Sequence, residues 1–339
     1  MKRNNFKIFV YLTLLVVCGF SGFAQVLKQR TVKLMGSRFD ITIVAKEATE
    51  AEAYIDTAII EITRIENLIS EWRSKTQVSE INRNAGIAPV KVDKELLDLT
   101  ERALYFSKIT DGAFDISFAA MDKIWQFDES MTEIPSAEAV KKSVEKVGYQ
   151  NIIIDKVNST IFLKLPGMKI GFGSIGKGYA ADKTKELLVS KGVKAGIINA
   201  SGDMNTWGTQ PDGKPWTVGI TNPINKNKVF AVFPLKESAI VTSGSYEKYV
   251  MINGKRYTHI INPKTGYPVT GVSSVTVMAP SAEMANGFST SIMVLGKDVG
   301  LNLIEQFPQL RCVIVTDNGE VFASKNVDLK KYAKKKLKN

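Results

Sequence analysis

One histidine occurs in the 339-residue chain, His259, within Tyr257-Thr258-His259-Ile260-Ile261-Asn262-Pro263-Lys264-Thr265-Gly266-Tyr267-Pro268. An imidazole is the side chain best suited to proton transfer near neutral pH, and this one lies between a strand-like stretch and a Pro/Gly turn, where loops carry chemistry. A hydrogen-bonded structural His is the other reading of this residue taken alone. A second candidate is Gly171-Phe172-Gly173-Ser174-Ile175-Gly176-Lys177-Gly178. Gly171, Gly173 and Gly176 spell GxGxxG, and Gly171, Gly176 and Lys177 nearly spell a P-loop. Neither motif is complete. The next strand ends at Ile197-Ile198-Asn199 without an acidic residue for a ribose, and Gly178 stands where a Mg²⁺-binding Ser or Thr hydroxyl belongs. The physics shared by both motifs remains: glycines let backbone N–H groups approach a phosphate, a helix N-terminus favours negative charge, and Lys177 supplies a point cation. A phosphate-bearing ligand is the functional reading; a tight strand-to-helix turn is the structural one. Asp111-Gly112-Ala113-Phe114-Asp115 adds a turn with two carboxylates.

These residues need elements to hold them. Phe39 to Val44 alternates with period two, as a strand does, and Ala48 to Ser70 places Ile55, Ile59, Ile62, Ile65 and Ile69 on one side of a long amphipathic helix. A second helix is expected from Lys94 to Thr110, ending at the Asp111 turn. A short helix follows Pro135, with strands near Ile152 and Ile161 and another ending at Lys169-Ile170. The glycine loop then opens a helix from Lys177 to Ser190. Strands near Ile197, Val218, Val229, Ile240 and Val250 are separated by turns, two marked by Asp212-Gly213 and Asn253-Gly254. A strand from Val272 to Met278 leads to a helix from Ala282 to Leu295, N-capped by Ser281. Hairpin-like strands mixed with helices indicate an α+β fold rather than a regular βαβ repeat. No long linker or repeat divides the chain, so one compact unit is expected.

The first residues read as an export signal: a basic start, Met1 to Lys7, an apolar run, Ile8 to Phe20, and small residues at Gly22-Phe23-Ala24. Cleavage is expected before Gln25. Residues 1–24 are then the signal, 25–328 the folded domain and 329–339 a basic tail. An uncleaved anchor, or lipidation at Cys18, is the alternative. The mature chain keeps one thiol, Cys312, in an apolar strand-like stretch, so stability must rest on a core rather than a disulfide. The net charge of +11 is spread along the chain, with Lys330 to Lys338 the densest run. That tail reads as a solvated end or as a contact for an anionic membrane surface. No nucleic-acid-binding motif is present, and nucleic acid is not an expected partner.

The ordered set of motifs resembles the ApbE family of FAD:protein FMN transferases. The likeness runs from Met35-Gly36-Ser37 to about Gly296. It is carried by Ser70-Glu71-Trp72, Ser79-Glu80-Ile81-Asn82, Asp111 to Asp115, Gly173 to Asp182 and Asn199-Ala200-Ser201-Gly202-Asp203. Thr242-Ser243-Gly244-Ser245-Tyr246, the His259 block and Ala285 to Thr290 complete it. Each motif is weak alone, and the set in order is specific. The resemblance implies an α+β, T-fold-related unit of mostly antiparallel sheets flanked by helices. It implies export to the periplasm, with attachment at the inner membrane an option. It also implies Mg²⁺-dependent transfer of FMN from FAD to a Thr, sometimes a Ser, of a target protein through a phosphoester bond, releasing AMP. Acceptors in such a family are typically subunits of membrane respiratory complexes.

The resemblance also implies roles for particular residues. Met35 lies against the flavin nucleotide, and Trp72 stands where the family often has Tyr, offering a ring for stacking, with a core Trp as the structural alternative. Ala113, Phe114 and Asp115 line the FAD pocket chiefly through backbone. Gly173, Lys177, His259 and Ile260 contact the nucleotide. The Ser174 backbone oxygen, Asn286 and Thr290 hold the metal, the last two being one helical turn apart. Asn286 and Gly171 both stand where the family usually places Asp, so a weakened metal site is expected; Asp203 and Glu247 remain in the motif set. Lys177 and Mg²⁺ would neutralise the pyrophosphate, and His259, or alternatively Asp203, would accept the acceptor's proton. The competing readings are a flavin-binding protein that does not turn over, an FAD pyrophosphatase using water, and a nicotinamide dehydrogenase resting on GxGxxG alone.

Overall fold

The computed structural model describes residues 25–332 apart from 129, 223, 224 and 247. The expected signal with Cys18, the retained Glu247 and the end of the basic tail lie outside the described residues. The chain opens with the hairpin β1 (Val26–Leu34) and β2 (Ser37–Ala45), then helices α1 (Ala48–Ile69) and α2 (Gln77–Arg83), strand β3 (Val90–Lys91) and helix α3 (Lys94–Ile109). Helix α4 (Ala137–Ser143), strands β4 (Ile152–Asp155) and β5 (Thr160–Leu163) and helix α5 (Gly176–Ser190) follow. Then come β6 (Ala195–Ala200), β7 (Asp203–Trp207), β8 (Trp216–Asn222), β9 (Asn225–Leu235), β10 (Ser238–Gly244), β11 (Tyr249–Ile252) and β12 (Lys255–Thr258). The last elements are β13 (Val272–Ala279), α6 (Ala282–Leu295), α7 (Lys297–Ile304), β14 (Arg311–Thr316), β15 (Val321–Ala323) and α8 (Leu329–Tyr332).

Eight strands form one antiparallel sheet in the order β1-β2-β6-β7-β10-β13-β14-β15. Its two faces follow from the period-two pattern. On β2, Phe39, Ile41 and Ile43 face the helices and join Ile55, Ile62, Ile65 and Ile69 of α1 in the main core. Val44 points the other way, into a second core built with Trp216 and Phe233 of the β8–β9 ribbon. Each fully buried Ile contributes about 1.5–3 kcal/mol, so the isoleucine stripe of α1 decides that helix's docking. Tyr332 of α8 packs its ring 4.5 Å from that of Phe233. Among the described residues no helix is long and apolar enough to cross a membrane.

Local chemistry explains the element boundaries. Ser281 accepts the Met284 N–H as the N-cap of α6. Asn253 and Gly254, at φ 50° and 74°, make the two-residue turn of the β11–β12 hairpin. One expectation fails: no strand ends at Lys169-Ile170. After β5 the chain turns at Pro166-Gly167, and the backbone of Ile170 is satisfied by the Asn82 side-chain amide, which accepts the Ile170 N–H at 2.8 Å and donates to its carbonyl at 3.0 Å. A side chain therefore does the work of a neighbouring strand. The glycine loop consequently follows an irregular segment, and the strand-loop-helix context that a dinucleotide fingerprint requires is missing.

Three helices are tied by Glu95 of α3, which accepts the Tyr179 hydroxyl of α5 at 2.6 Å and pairs with Arg64 of α1 at 2.7 Å. The Arg64 guanidinium, with the Tyr179 hydroxyl, holds the Glu95 carboxyl below its usual range. A depressed carboxyl contributes stability above its unfolded pKa and loses it as pH falls. Glu95→Gln is expected to cost about 1 kcal/mol at pH 7, modest because the site is partly exposed. In urea unfolding that cost should shrink as pH drops towards about 4.

Candidate active site

Two adjoining cavities open at the start of α5. The first, about 390 Å³, is lined by the Ala113–Asp115 turn, the glycine loop, Asp203, the end of β10, the His259 loop and one face of α6. The second, about 470 Å³, is lined by the β1–β2 turn and the segment after α1. Both include Glu71, Gly173 and Lys177, so Lys177 stands at the junction of the two.

Met35 occupies the β1–β2 turn with φ 49°, followed by Gly36 at 69°. Its N–H donates to Glu66 of α1 at 3.2 Å, which presents the turn to the second cavity. Trp72, on the same cavity, is 76% exposed with the Lys123 ammonium 4.5 Å from its ring centroid. It is therefore a rim residue and not part of the core.

The Ala113–Asp115 turn is buried. Phe114 packs its ring on Phe106 at 5.7 Å. Asp115 accepts the Ser117 N–H at 2.8 Å, the Ser117 hydroxyl at 2.6 Å and the Tyr149 N–H at 2.8 Å. Burial raises its carboxyl's pKa against the pull of those donors. This carboxylate organises the turn, its oxygens being engaged by Ser117 and Tyr149.

Lys177, in the first turn of α5, places Nζ 2.9 Å from Oδ2 of Asp203, which is buried at the start of β7. The pair joins the helix N-terminus to the sheet. Gly178 lets α5 approach α6 closely, since a Cβ there would stand 2.5 Å from the Ala282 carbonyl oxygen. Asp182, one turn along α5, accepts the N–H groups of Ala282 and Glu283 at 2.7 and 2.8 Å and also the Asn205 amide. It thereby caps α6 from a neighbouring element. Its burial pushes its pKa up to about 6.

Asn286, Thr290 and Ser174 all line the first cavity. Asn286 is buried, and its side-chain oxygen accepts the Gly178 N–H at a long 3.4 Å. The Ser289 hydroxyl beside it meets that of Ser243 on β10 at 2.9 Å. Among the described residues no three His, Cys, Asp or Glu side chains converge on a metal position. The donors present are an amide oxygen, hydroxyls and backbone carbonyls, with the Glu71 carboxylate on the same wall. Hard oxygens of this kind fit Mg²⁺ by chemistry, and Asn286 brings no charge.

His259 follows β12. Its Nδ1 lies 3.0 Å from the Lys248 carbonyl oxygen, and its ring meets the edge of Phe127 at 6.5 Å. A carbonyl only accepts, so Nδ1 carries the proton of the neutral ring and the lone pair lies on Nε2. The loop beyond is fixed: Trp125 donates its indole N–H to the Gly266 carbonyl at 2.9 Å, and Lys264 pairs with Asp111 at 2.5 Å. Ile260 lines the same cavity.

All the residues proposed from sequence thus line the two cavities. Glu71, and Thr242 and Ser243 at the end of β10, line the first cavity too; the sequence places them in motifs but assigns them no role at the site. The signal for Glu71 was an acidic residue directly before Trp72 together with a bare glycine at 171.

Comparison with known proteins agrees with this arrangement. The ApbE family model matches residues 35–314. An FAD:protein FMN transferase of Salmonella typhimurium is 31% identical over 308 residues, covering 88% of this chain and 86% of that protein. The crystal structure of the ApbE protein from Thermotoga maritima matches with a TM-score of 0.82 at 29% identity, covering 91% of this chain and 100% of that one. The apo flavinyl transferase ApbE of Pseudomonas stutzeri matches with a TM-score of 0.79 at 26% identity, covering 90% and 97%. The α+β fold, the motif order and the extent of these matches lead to one conclusion: the chain belongs to the ApbE family.

Proposed function

We propose that this chain transfers FMN from FAD to a Thr or Ser hydroxyl of a target protein, with AMP as the leaving group and Mg²⁺ required. The observation that carries the reading is the pair of cavities joined at Lys177. An elongated ligand with flat ends and an anionic middle suits two chambers with a cation at their junction. The activity named for the relatives is of this class.

In the reaction, the acceptor oxygen bonds to the FMN phosphorus as that phosphorus parts from the AMP oxygen. His259, held through Nδ1 by the Lys248 carbonyl, takes the hydroxyl proton at Nε2. Lys177, oriented by Asp203, faces the pyrophosphate and offsets charge on the departing AMP. Asp203 is engaged by that ammonium, which makes His259 the better base of the two. The Ser174 carbonyl, Asn286 and Thr290 would hold Mg²⁺, which supplies charge neutralisation at the pyrophosphate when bound. The reading extends to place: an exported protein, acting in the periplasm at the inner membrane on a subunit of a membrane respiratory complex. The supports for that are the signal-like first 24 residues and the basic tail.

The test is the intact mass of a Thr-bearing acceptor domain incubated with the mature protein, FAD and Mg²⁺. The expected result is one added FMN, lost when EDTA removes the metal. FMN and AMP released without acceptor modification would make water the nucleophile. FAD retained intact, while an established family member labels the same acceptor, would make the chain a flavin-binding protein.

A further inference from the structure

Gly171 has no space for a side chain, and the reason is Glu71. A Cβ at 171 would stand 2.0 Å from Oε2 and 2.6 Å from Cδ of Glu71. The backbone at Gly171 is not in the left-handed region, so turn geometry does not demand a glycine there. Gly173, two residues on, differs: its Cβ would meet nothing within 4 Å. The glycine at 171 is therefore matched to a carboxylate one hundred residues earlier in the chain. A carboxylate carried by residue 171 itself would begin one bond beyond that Cβ, in the space the Glu71 head group fills.

The placement of Glu71 is specific. Its carboxylate receives the Phe172 N–H, and Lys123 and Lys169 are its cationic neighbours. It lines the same cavity as Ser174, Asn286 and Thr290. These are oxygen donors without formal charge, and Lys177 on the same wall is paired with Asp203 at 2.9 Å. Burial makes that charge costly, and the Phe172 N–H and the two lysines offset the cost only in part, so a cation in the cavity would meet an under-compensated carboxylate beside neutral oxygens.

We propose that Glu71 supplies the negative charge of a divalent-cation site in this cavity, in place of any side chain at position 171 and alongside the uncharged oxygens of Asn286 and Thr290. The proposal rests on the metal-dependent reading above. It identifies Glu71 as a positioning and charge-supplying residue for the cation. It also makes positions 71 and 171 a coupled pair: one carboxylate fits the space, from either position.

The test is binding of Mn²⁺ to the full mature protein, read from the free-ion electron paramagnetic resonance signal with FAD present. FAD affinity in EDTA is measured beside it by flavin fluorescence. Glu71→Gln should weaken Mn²⁺ binding by about 10–100-fold, the range for groups that support a metal site, and by more than it changes FAD affinity in EDTA. The double variant Glu71→Ala/Gly171→Asp should recover Mn²⁺ binding, which separates lost charge from lost fold. If Glu71→Gln binds Mn²⁺ like the wild type while Thr290→Val loses it, the cation site does without Glu71 and the proposal fails, with metal-dependent transfer intact. Wild-type protein that takes up no Mn²⁺ beside FAD would overturn the metal-dependent reading and this proposal together.

Discussion

His259→Ala is expected to slow FMN transfer by about 10²–10⁴-fold, the usual contribution of a positioned general base. The argument is geometric. Nδ1 of His259 is committed to the Lys248 carbonyl at 3.0 Å, which fixes the tautomer and aims Nε2 as the proton acceptor. The loop behind it is held by Trp125 on Gly266 and by Lys264 on Asp111, so the ring is positioned before the acceptor arrives. Single-turnover labelling of the acceptor at saturating FAD isolates this step. FAD affinity should change far less than the rate, because Lys177 and the glycine loop remain. Asp203→Asn is the companion measurement. It releases Lys177 from its partner, so its first effect should be on FAD affinity. A rate that collapses with Asp203→Asn at saturating FAD and survives His259→Ala would exchange the two roles.

The second large effect is on stability. At about pH 4, Asp182→Ala is expected to cost about 2–4 kcal/mol, from two buried N–H groups left without an acceptor and the loss of a cap that adds to that of Ser281. Asp182 lies on α5 and serves Ala282 and Glu283 at the start of α6, the helix bearing Asn286 and Thr290. The same side chain carries a pH signature. Its pKa is pushed up to about 6 by burial. A carboxyl raised on folding contributes stability that is full below its unfolded pKa, near 3.8, and lost as pH rises through about 6. Two pH units correspond to about 3 kcal/mol. Urea unfolding of the wild type should show this decline between about pH 4 and 6, and Asp182→Ala should flatten it. Equal slopes in both proteins would mean that Asp182 stays ionised throughout.

The helices were legible in the sequence because each carries its own signal. The isoleucine spacing of α1 and the Ser281 cap of α6 are local facts, and both elements end within a residue of expectation. The lining of the cavities was legible through motif order, since Met35, Trp72, Lys177, His259 and Thr290 all reach the two cavities. What depended on distant partners was not legible. Strand β1, Val26–Leu34, was missed because its pattern of charged residues has meaning only opposite β2. The strand expected at Ile170 is replaced by an amide from Asn82. Asp182 caps a helix a hundred residues away, whereas sequence rules for caps look only at neighbours. Glu71 carries no signal of its own in the sequence, because nothing local pairs position 71 with a bare Gly171.

The cavity walls are assembled from segments between Met35 and Val294, drawn from nearly every part of the fold. No fragment of the chain retains the site, so a molecule filling it binds only the fully folded state. Occupancy then acts on the whole domain by mass action: ligand at a hundred times its dissociation constant adds about 2.7 kcal/mol to the unfolding free energy. The resistance of this protein to unfolding and proteolysis is thus partly a function of supply, rising and falling with the flavin nucleotide available where it works.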